Sequence, residues 1–352
     1  MSIQNQFEKF NEKIRLSSKK LDELREKRDV ILGKLRDNKD LPSFEEFGQG
    51  SYRMRTEVEP IDKEYDIDVG LRFNVNKKDY EDPLTLKKQI RDILKNHTEY
   101  GAQIKNPCVT VTYKKDGETA YHVDIVTYTY EDKENKESQL YLARGKEFAK
   151  NENIKWEEAD PLGLIDKIEN RYSGLDKEQY KRIIRYLKRW KNLNFSSEGN
   201  NEVPGIGITL LAYNLFVPSK NYDYLEDEYE YSDLDALICF IKEIKNKFIL
   251  KYDPESNDCK YSISLNLPVQ PYTGVFTKMT LNQTNNFKNK IYKLYDDLII
   301  VKDEADIIEQ CKKLHEIFGE DFEVPEKKEE SKLQKNFIPP TSASGIEWKK
   351  KY

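Results

Sequence analysis

Two aspartates, Asp66 and Asp68, stand either side of Ile67, sixteen and eighteen positions after a Gly50-Ser51 pair. Alternate residues of a strand share a face, so carboxylates at i and i+2 point the same way. From Tyr65 to Phe73 every odd position is apolar (Tyr65, Ile67, Val69, Leu71, Phe73), and every even position is polar or glycine. That alternation is the pattern of a half-buried strand with one dry face and one chemical face. Two carboxylates ~5–7 Å apart on that face repel unless a cation lies between them. Their hard oxygens favour magnesium, with manganese as the substitute. Just upstream, Gln49-Gly50-Ser51 offers backbone N–H groups and a hydroxyl, the donors that a triphosphate tail takes. A third acid stands in Tyr121-His122-Val123-Asp124-Ile125-Val126, where Val123 and Ile125 face one way and His122 and Asp124 the other. The run Val109-Thr110-Val111-Thr112-Tyr113 and the turn Lys114-Lys115-Asp116-Gly117 predict a hairpin that delivers Asp124. Three carboxylates on neighbouring strands are what a two-metal phosphoryl-transfer centre requires.

Taken singly, each part is weak. A D-x-D strand is usually a solvated face, and Gly-Ser is ordinary turn chemistry. The order and spacing of all the parts together are far more specific, and they point to metal-dependent nucleotidyl transfer.

These residues resemble the signature of the polymerase-beta-like nucleotidyltransferases: Gly-Ser, a spacer, acid-x-acid on a strand, and a later strand acid. Within that superfamily the chain is most similar to the bacterial cyclic-oligonucleotide synthases of antiphage signalling (CBASS), the CD-NTases related to cGAS, DncV and oligoadenylate synthase. The resemblance rests on Gln49-Gly50-Ser51-Tyr52-Arg53-Met54-Arg55-Thr56 and Asp66-Ile67-Asp68. It continues, more weakly, at Leu187-Lys188-Arg189-Trp190-Lys191, at Val203-Pro204-Gly205-Ile206-Gly207-Ile208-Thr209-Leu210 and at Phe276-Thr277-Lys278-Met279-Thr280. It implies an α+β, two-lobed enzyme with a mixed β-sheet catalytic lobe, a long N-terminal helix bracing both lobes, and a helical C-terminal lobe. It also implies two Mg²⁺ ions (or Mn²⁺) on Asp66, Asp68 and Asp124, the three catalytic acids. NTP substrates would be joined into a cyclic di- or trinucleotide that acts on a separate effector protein. The alternative is transfer to another acceptor: an RNA end, a small molecule or a protein.

The elements that must position these residues are legible in part. Phe7, Phe10, Ile14, Leu21, Leu24, Ile31 and Leu35 fall on helical spacing, interrupted at Ser17 and Arg28, and predict one long helix ending before Pro42. Pro83 to Asn96 is a second helix, with Leu86, Ile90, Ile93 and Leu94 inward. Composition turns helical at Asp160-Pro161. The expected division is a catalytic lobe over 1–160, a helical lobe over 161–324 and a flexible tail over 325–352. Tyr180, Ile183, Ile184, Leu187 and Trp190 stripe the strongest helix of the second lobe. On its flank Arg182, Arg185 and Lys188 lie three apart. A basic helix flank is commonly a solvated face; beside this site it is also where cations would grip the triphosphate. Together with Gln49, Gly50 and Ser51 they complete the expected nucleotide-binding set. Tyr222 to Asp235 carries seven acids and no base, and reads as a surface loop. Thr280-Leu281-Asn282-Gln283 is a capping box, and a last helix through Cys311 and Leu314 stops at Gly319.

Composition sets the boundaries. Charged residues make up 35 % of the chain and its net charge is −5, so no global basic field advertises a nucleic-acid template. Four scattered cysteines without a C-x-x-C pair, and three histidines, argue for a reducing compartment and against a zinc site. No apolar run reaches membrane-spanning length. The expectation is a cytoplasmic, monomeric enzyme.

Overall fold

The computed structural model describes residues 2–61, 65–115, 118–148, 150, 153–195, 203–254 and 256–326. The tail from 327 and the centre of the turn at Asp116-Gly117 lie outside the described residues. In chain order, the first half forms α1 (Ile3–Ile14), α2 (Ser18–Asp37), β1 (Phe44–Gly48), α3 (Gly50–Met54) and β2 (Tyr65–Asn76). It continues with α4 (Leu84–Leu94), β3 (Ala102–Ile104), β4 (Cys108–Lys115), β5 (Glu118–Tyr130), β6 (Leu140–Arg144) and β7 (Lys155–Ala159). The second half forms α5 (Pro161–Glu169), α6 (Gly174–Asn194), α7 (Gly205–Leu215), β8 (Lys220–Asp223), β9 (Glu228–Tyr231) and α8 (Asp233–Lys245). It ends with β10 (Ile249–Asp253), β11 (Asp258–Ser262), α9 (Leu281–Asp303) and α10 (Ile307–Phe318).

The strands of the first half make one mixed sheet in the order β1-β2-β5-β4-β3, with β6 pairing the far end of β5 and β7 pairing β6. Among the described strands of this sheet only β2 and β5 run parallel; the other pairs are antiparallel. A parallel pair needs a crossover, and α4 with the β3–β4 segment supplies it. The apolar alternation of β2 puts Ile67, Val69, Leu71 and Phe73 in a core with Val123 and Ile125 of β5, covered by Leu24, Ile31 and Leu35 of α2 and Leu86, Ile90 and Leu94 of α4. The opposite face of those two strands is left for the acids.

The expected long N-terminal helix is present as two. Arg15 is extended, and the Ser17 hydroxyl accepts from the Lys20 backbone N–H, which caps the start of α2. The break redirects the chain between two cores. Leu24, Ile31 and Leu35 pack under the sheet, whereas Phe7, Phe10 and Ile14 enter the helical core. There Phe10 stacks on Tyr186 at 5.2 Å between ring centroids, and both Phe7 and Phe10 pack against Phe318 and Phe322.

Helix α6 runs through the centre of the second half, with Tyr180, Ile183, Ile184, Leu187 and Trp190 all buried. The capping box opens α9 as expected: Thr280 accepts from the Gln283 N–H, and the Gln283 side chain accepts from the Thr280 N–H. Gly319, at φ 72°, closes α10. The stretch Tyr222 to Asp235 is not a loop. It is the β8–β9 hairpin, with Tyr222 directly opposite Tyr229, followed by the first turn of α8 capped by Ser232. Aromatic cross-strand pairing and a serine cap outweigh the acidic composition.

Candidate active site

The parallel register of β2 and β5 sets Asp66 opposite His122, and Asp68 opposite Asp124. Ile67, Val69, Val123 and Ile125 are each no more than 1 % exposed, which fixes the facing of both strands. Asp66, Asp68 and Asp124 then present carboxylate oxygens that all lie within 4.8 Å of one another. Solvent reaches Asp66, while Asp68 and Asp124 are half-buried.

Such crowding has an electrostatic signature. Burial, then Asp66 and Asp124, push the Asp68 carboxyl up to about 8, with Lys188 opposing. Protein is dense enough around Asp66 for desolvation to raise it too, although its side chain touches solvent; Asp124 adds to the rise, and His122 and Lys188 oppose it. Three close hard-oxygen donors, two of which, Asp66 and Asp68, hold their protons abnormally well, suit a divalent cation. The residues therefore fit a Mg²⁺ or Mn²⁺ site.

The turn above the acids is built around them. Gly50 has φ +66°, and a Cβ there would stand 1.9 Å from Asp68 Oδ2. Glycine is thus required both by the backbone and by the carboxylate. The Gln49 backbone N–H donates to the Asp68 carbonyl at 3.3 Å, and Tyr128 OH donates to Gln49 Oε1 at 3.1 Å. The one-and-a-half-turn α3 carries Ser51 and ends at Arg55 in the left-handed region; the Thr56 N–H returns to the Ser51 carbonyl at 3.0 Å.

The three cations of α6 divide. Lys188 Nζ donates to the Thr56 carbonyl and hydroxyl, both at 3.0 Å, and so reaches the site turn. Burial depresses it to about 7, partly offset by Glu57 and Asp66. Arg185 turns to Asn11 Oδ1 and the Arg55 carbonyl, at 2.8 and 2.7 Å. Arg182 forks onto Asp233, at 2.7 and 2.8 Å, a carboxylate with no exposure that also accepts from Tyr186 OH and from Gln179. A guanidinium held by a buried carboxylate is not available to grip phosphate, so the nucleotide-binding role expected of Arg182 is corrected to a structural one. Arg185 is buried too, but its partners are neutral carbonyl oxygens.

Two polar neighbours of the site escaped the sequence reading. Thr110 of β4 stands opposite Asp124 and donates to its Oδ1 at 2.5 Å. Thr112 stands opposite His122 and meets its Nδ1 at 3.1 Å. The signal was the alternation of β4 itself, whose Val109 and Val111 face the core.

A mixed sheet whose central parallel strands carry an acid triad beneath a Gly-Ser turn, facing a helical half, is the two-lobed nucleotidyltransferase architecture. Residues 44–128 match the family model for the cyclic GMP-AMP synthase DncV-like nucleotidyltransferase domain. A cyclic GMP-AMP synthase from Escherichia albertii is 29 % identical over 173 residues, 47 % of this chain. The match spans 35 % of that relative's length. Among solved structures, the Bradyrhizobium diazoefficiens CD-NTase CdnG in complex with GTP superposes with a TM-score of 0.66 at 12 % identity, covering 90 % of this chain and 95 % of that one. The Vibrio cholerae cyclic AMP-GMP synthase DncV gives 0.56 at 15 % identity, covering 80 % and 70 %. At these identities the structures speak for the fold: the chain has the α+β, two-lobed fold of the CD-NTases.

Proposed function

We propose that this protein is a Mg²⁺-dependent nucleotidyltransferase that joins NTPs into a cyclic di- or trinucleotide, releasing pyrophosphate at each linkage. The observation that carries the reading is the triad: three carboxylates within 4.8 Å, on adjacent parallel strands, directly under Gly50. Asp66, Asp68 and Asp124 would hold two divalent cations, which supply charge neutralisation for the triphosphate and the departing pyrophosphate.

The chain's own residues do the rest. Asp124, held by Thr110, stands where a sugar hydroxyl would lose its proton to the carboxylate oxygen that Thr110 leaves free. The freed oxygen forms a bond to an α-phosphorus; the α–β bridging P–O bond breaks in line, and pyrophosphate leaves with the bonding pair. Gln49, Gly50 and Ser51 receive the β- and γ-phosphates, and Lys188 steadies their turn from the helical half through Thr56. Repetition on the linear product, then attack by its own terminal hydroxyl, closes the ring. The GTP bound by the Bradyrhizobium relative, and the product named for the Escherichia albertii relative, support this substrate class. In this reading the protein is a cytoplasmic monomer that copies no template, and its product signals to a separate effector in antiphage defence.

The deciding experiment is incubation of the purified protein with all four NTPs and Mg²⁺, followed by product mass and phosphatase treatment. The expected product resists phosphatase and weighs two or three nucleoside monophosphates less one water per linkage. Asp66→Ala and Asp68→Ala should abolish it in folded protein. A ladder of linear oligomers, or label on added RNA or protein, would replace ring closure by transfer to another acceptor.

A further inference from the structure

We propose that Thr110 is a positioning residue for this reaction: its hydroxyl fixes the rotamer of Asp124 and thereby prepares the acid triad to take a divalent cation. The inference rests on the nucleotidyltransferase reading above and adds a residue to it.

The geometry is specific. Thr110 and Asp124 are direct partners in the antiparallel β4–β5 register, and their side chains share the polar face of the sheet. Thr110 is 1 % exposed, so water has little access to compete for its hydroxyl. At 2.5 Å from Asp124 Oδ1 the bond has the short length of a hydroxyl donating to an ionised carboxylate. Behind it, the buried Cys108 Sγ lies 3.5 Å from the same hydroxyl oxygen. A thiol donating to Thr110 leaves the Thr110 proton for Asp124, so the order Cys108 to Thr110 to Asp124 is self-consistent.

The need for such a donor follows from the crowding of the triad. Asp66 and Asp68 repel Asp124 toward any rotamer that lengthens their separation. A lysine or arginine in place of Thr110 would oppose that repulsion but would also compete with a bound cation for the carboxylates. A neutral hydroxyl orients Asp124 without adding charge. Threonine suits the task because its β-branch leaves few χ1 choices on a strand. Partners that orient metal-binding side chains in this way typically change metal affinity ~10–100-fold when removed.

The test measures metal directly. Free Mn²⁺ is followed by its electron paramagnetic resonance signal during titration of the purified full-length protein without nucleotide. The variants are Thr110→Val, which keeps the shape and removes the donor, and Thr110→Ser, which keeps the donor. Valine should weaken Mn²⁺ binding ~10–100-fold, and serine should restore it to within about threefold of wild type. Thermal melts of the metal-free proteins check folding. Should the valine protein not fold, Thr110→Cys, a weak donor of similar volume, takes its place with a loss of about fivefold expected. Wild-type affinity in the valine protein, or equal losses in valine and serine, overturns the proposal. Asp68→Ala separates the two levels of inference. If it binds Mn²⁺ as wild type does, the metal centre itself fails; if it loses binding while Thr110→Val does not, only the role of Thr110 fails.

Discussion

Asp68 shows how much strain a single carboxylate can carry at this site. Its folded pKa is raised to about 8, against an ordinary value near 4. For an acid, a raised folded pKa is a penalty on folding: absent below pH ~4, growing as pH rises, and complete above about 8. Asp68→Asn removes the charge and keeps the shape. In EDTA the variant is expected to be about 1–3 kcal/mol more stable than wild type at pH 8.5, with the gain shrinking toward zero at pH 4.5. Urea midpoints at the two pH values measure it. An asparagine protein no more stable than wild type at pH 8.5 would show that neither burial nor the neighbouring carboxylates penalise the Asp68 charge. The same substitution should remove nucleotide incorporation, so stability and activity are expected to move in opposite directions.

At the scale of elements, α6 is the part whose role changed most between sequence and structure. Its apolar stripe was plain from Tyr180, Ile183, Ile184, Leu187 and Trp190, and all five are buried. Its cations were not separable by spacing, because the partners that distinguish them come from α1, the turn after α3, and α8, distant in sequence. Asp233 in particular lay hidden in an acidic run, where composition said surface and the fold put it at zero exposure. Removing one partner of a buried pair leaves the other uncompensated, so Arg182→Ala is expected to cost about 3–5 kcal/mol. In whatever fraction folds, KM for NTP should stay near the wild-type value. A folded, fully stable Arg182→Ala protein with a raised KM would return Arg182 to the phosphate site. The acid triad was legible for the opposite reason: both strands carry a strict two-residue period, and period alone fixes their facing. The pairing of Thr110 with Asp124 was harder, because the hairpin register shifts between Tyr113 and Lys114, and counting from the turn misplaces the partners. The break at Ser17 was visible as an interruption, but nothing local said that the two halves would enter different cores.

Across the whole molecule, the helical half is completed by residues from the N-terminal end of the chain. Phe7 and Phe10 lie among Tyr186, Phe318 and Phe322, and Lys13 donates to the Glu320 carbonyl and to Glu323. Phe10→Ala should therefore destabilise by about 3–5 kcal/mol. The loss should appear first in α6 and α10, not in the sheet. Hydrogen exchange resolved by segment checks this; equal loosening of β2 and β5 would mean that the two cores unfold as one. Along the same lines, Lys188 and Arg185 are contacts through which the helical half holds the site turn, so loosening α1 is expected to reach the turn through α6.

Helix α1 also has a consequence for the order in which the molecule is made. It precedes α2 in the chain, yet Phe318 and Phe322, two of the rings that cover Phe7 and Phe10, arrive roughly 300 positions later, a separation that makes the closing contact slow to form. While the ribosome is still at work, the sheet core can assemble from α2 onward, and α1 is left as an amphipathic helix with its aromatic face bare. The break at Ser17 lets that helix wait without distorting α2. The turn above the acids is tied to α6 by Lys188, and α6 is tied to the segment after α10 by Arg189 and Asp321, so a shortened translation product should hold a formed sheet and a less supported site turn.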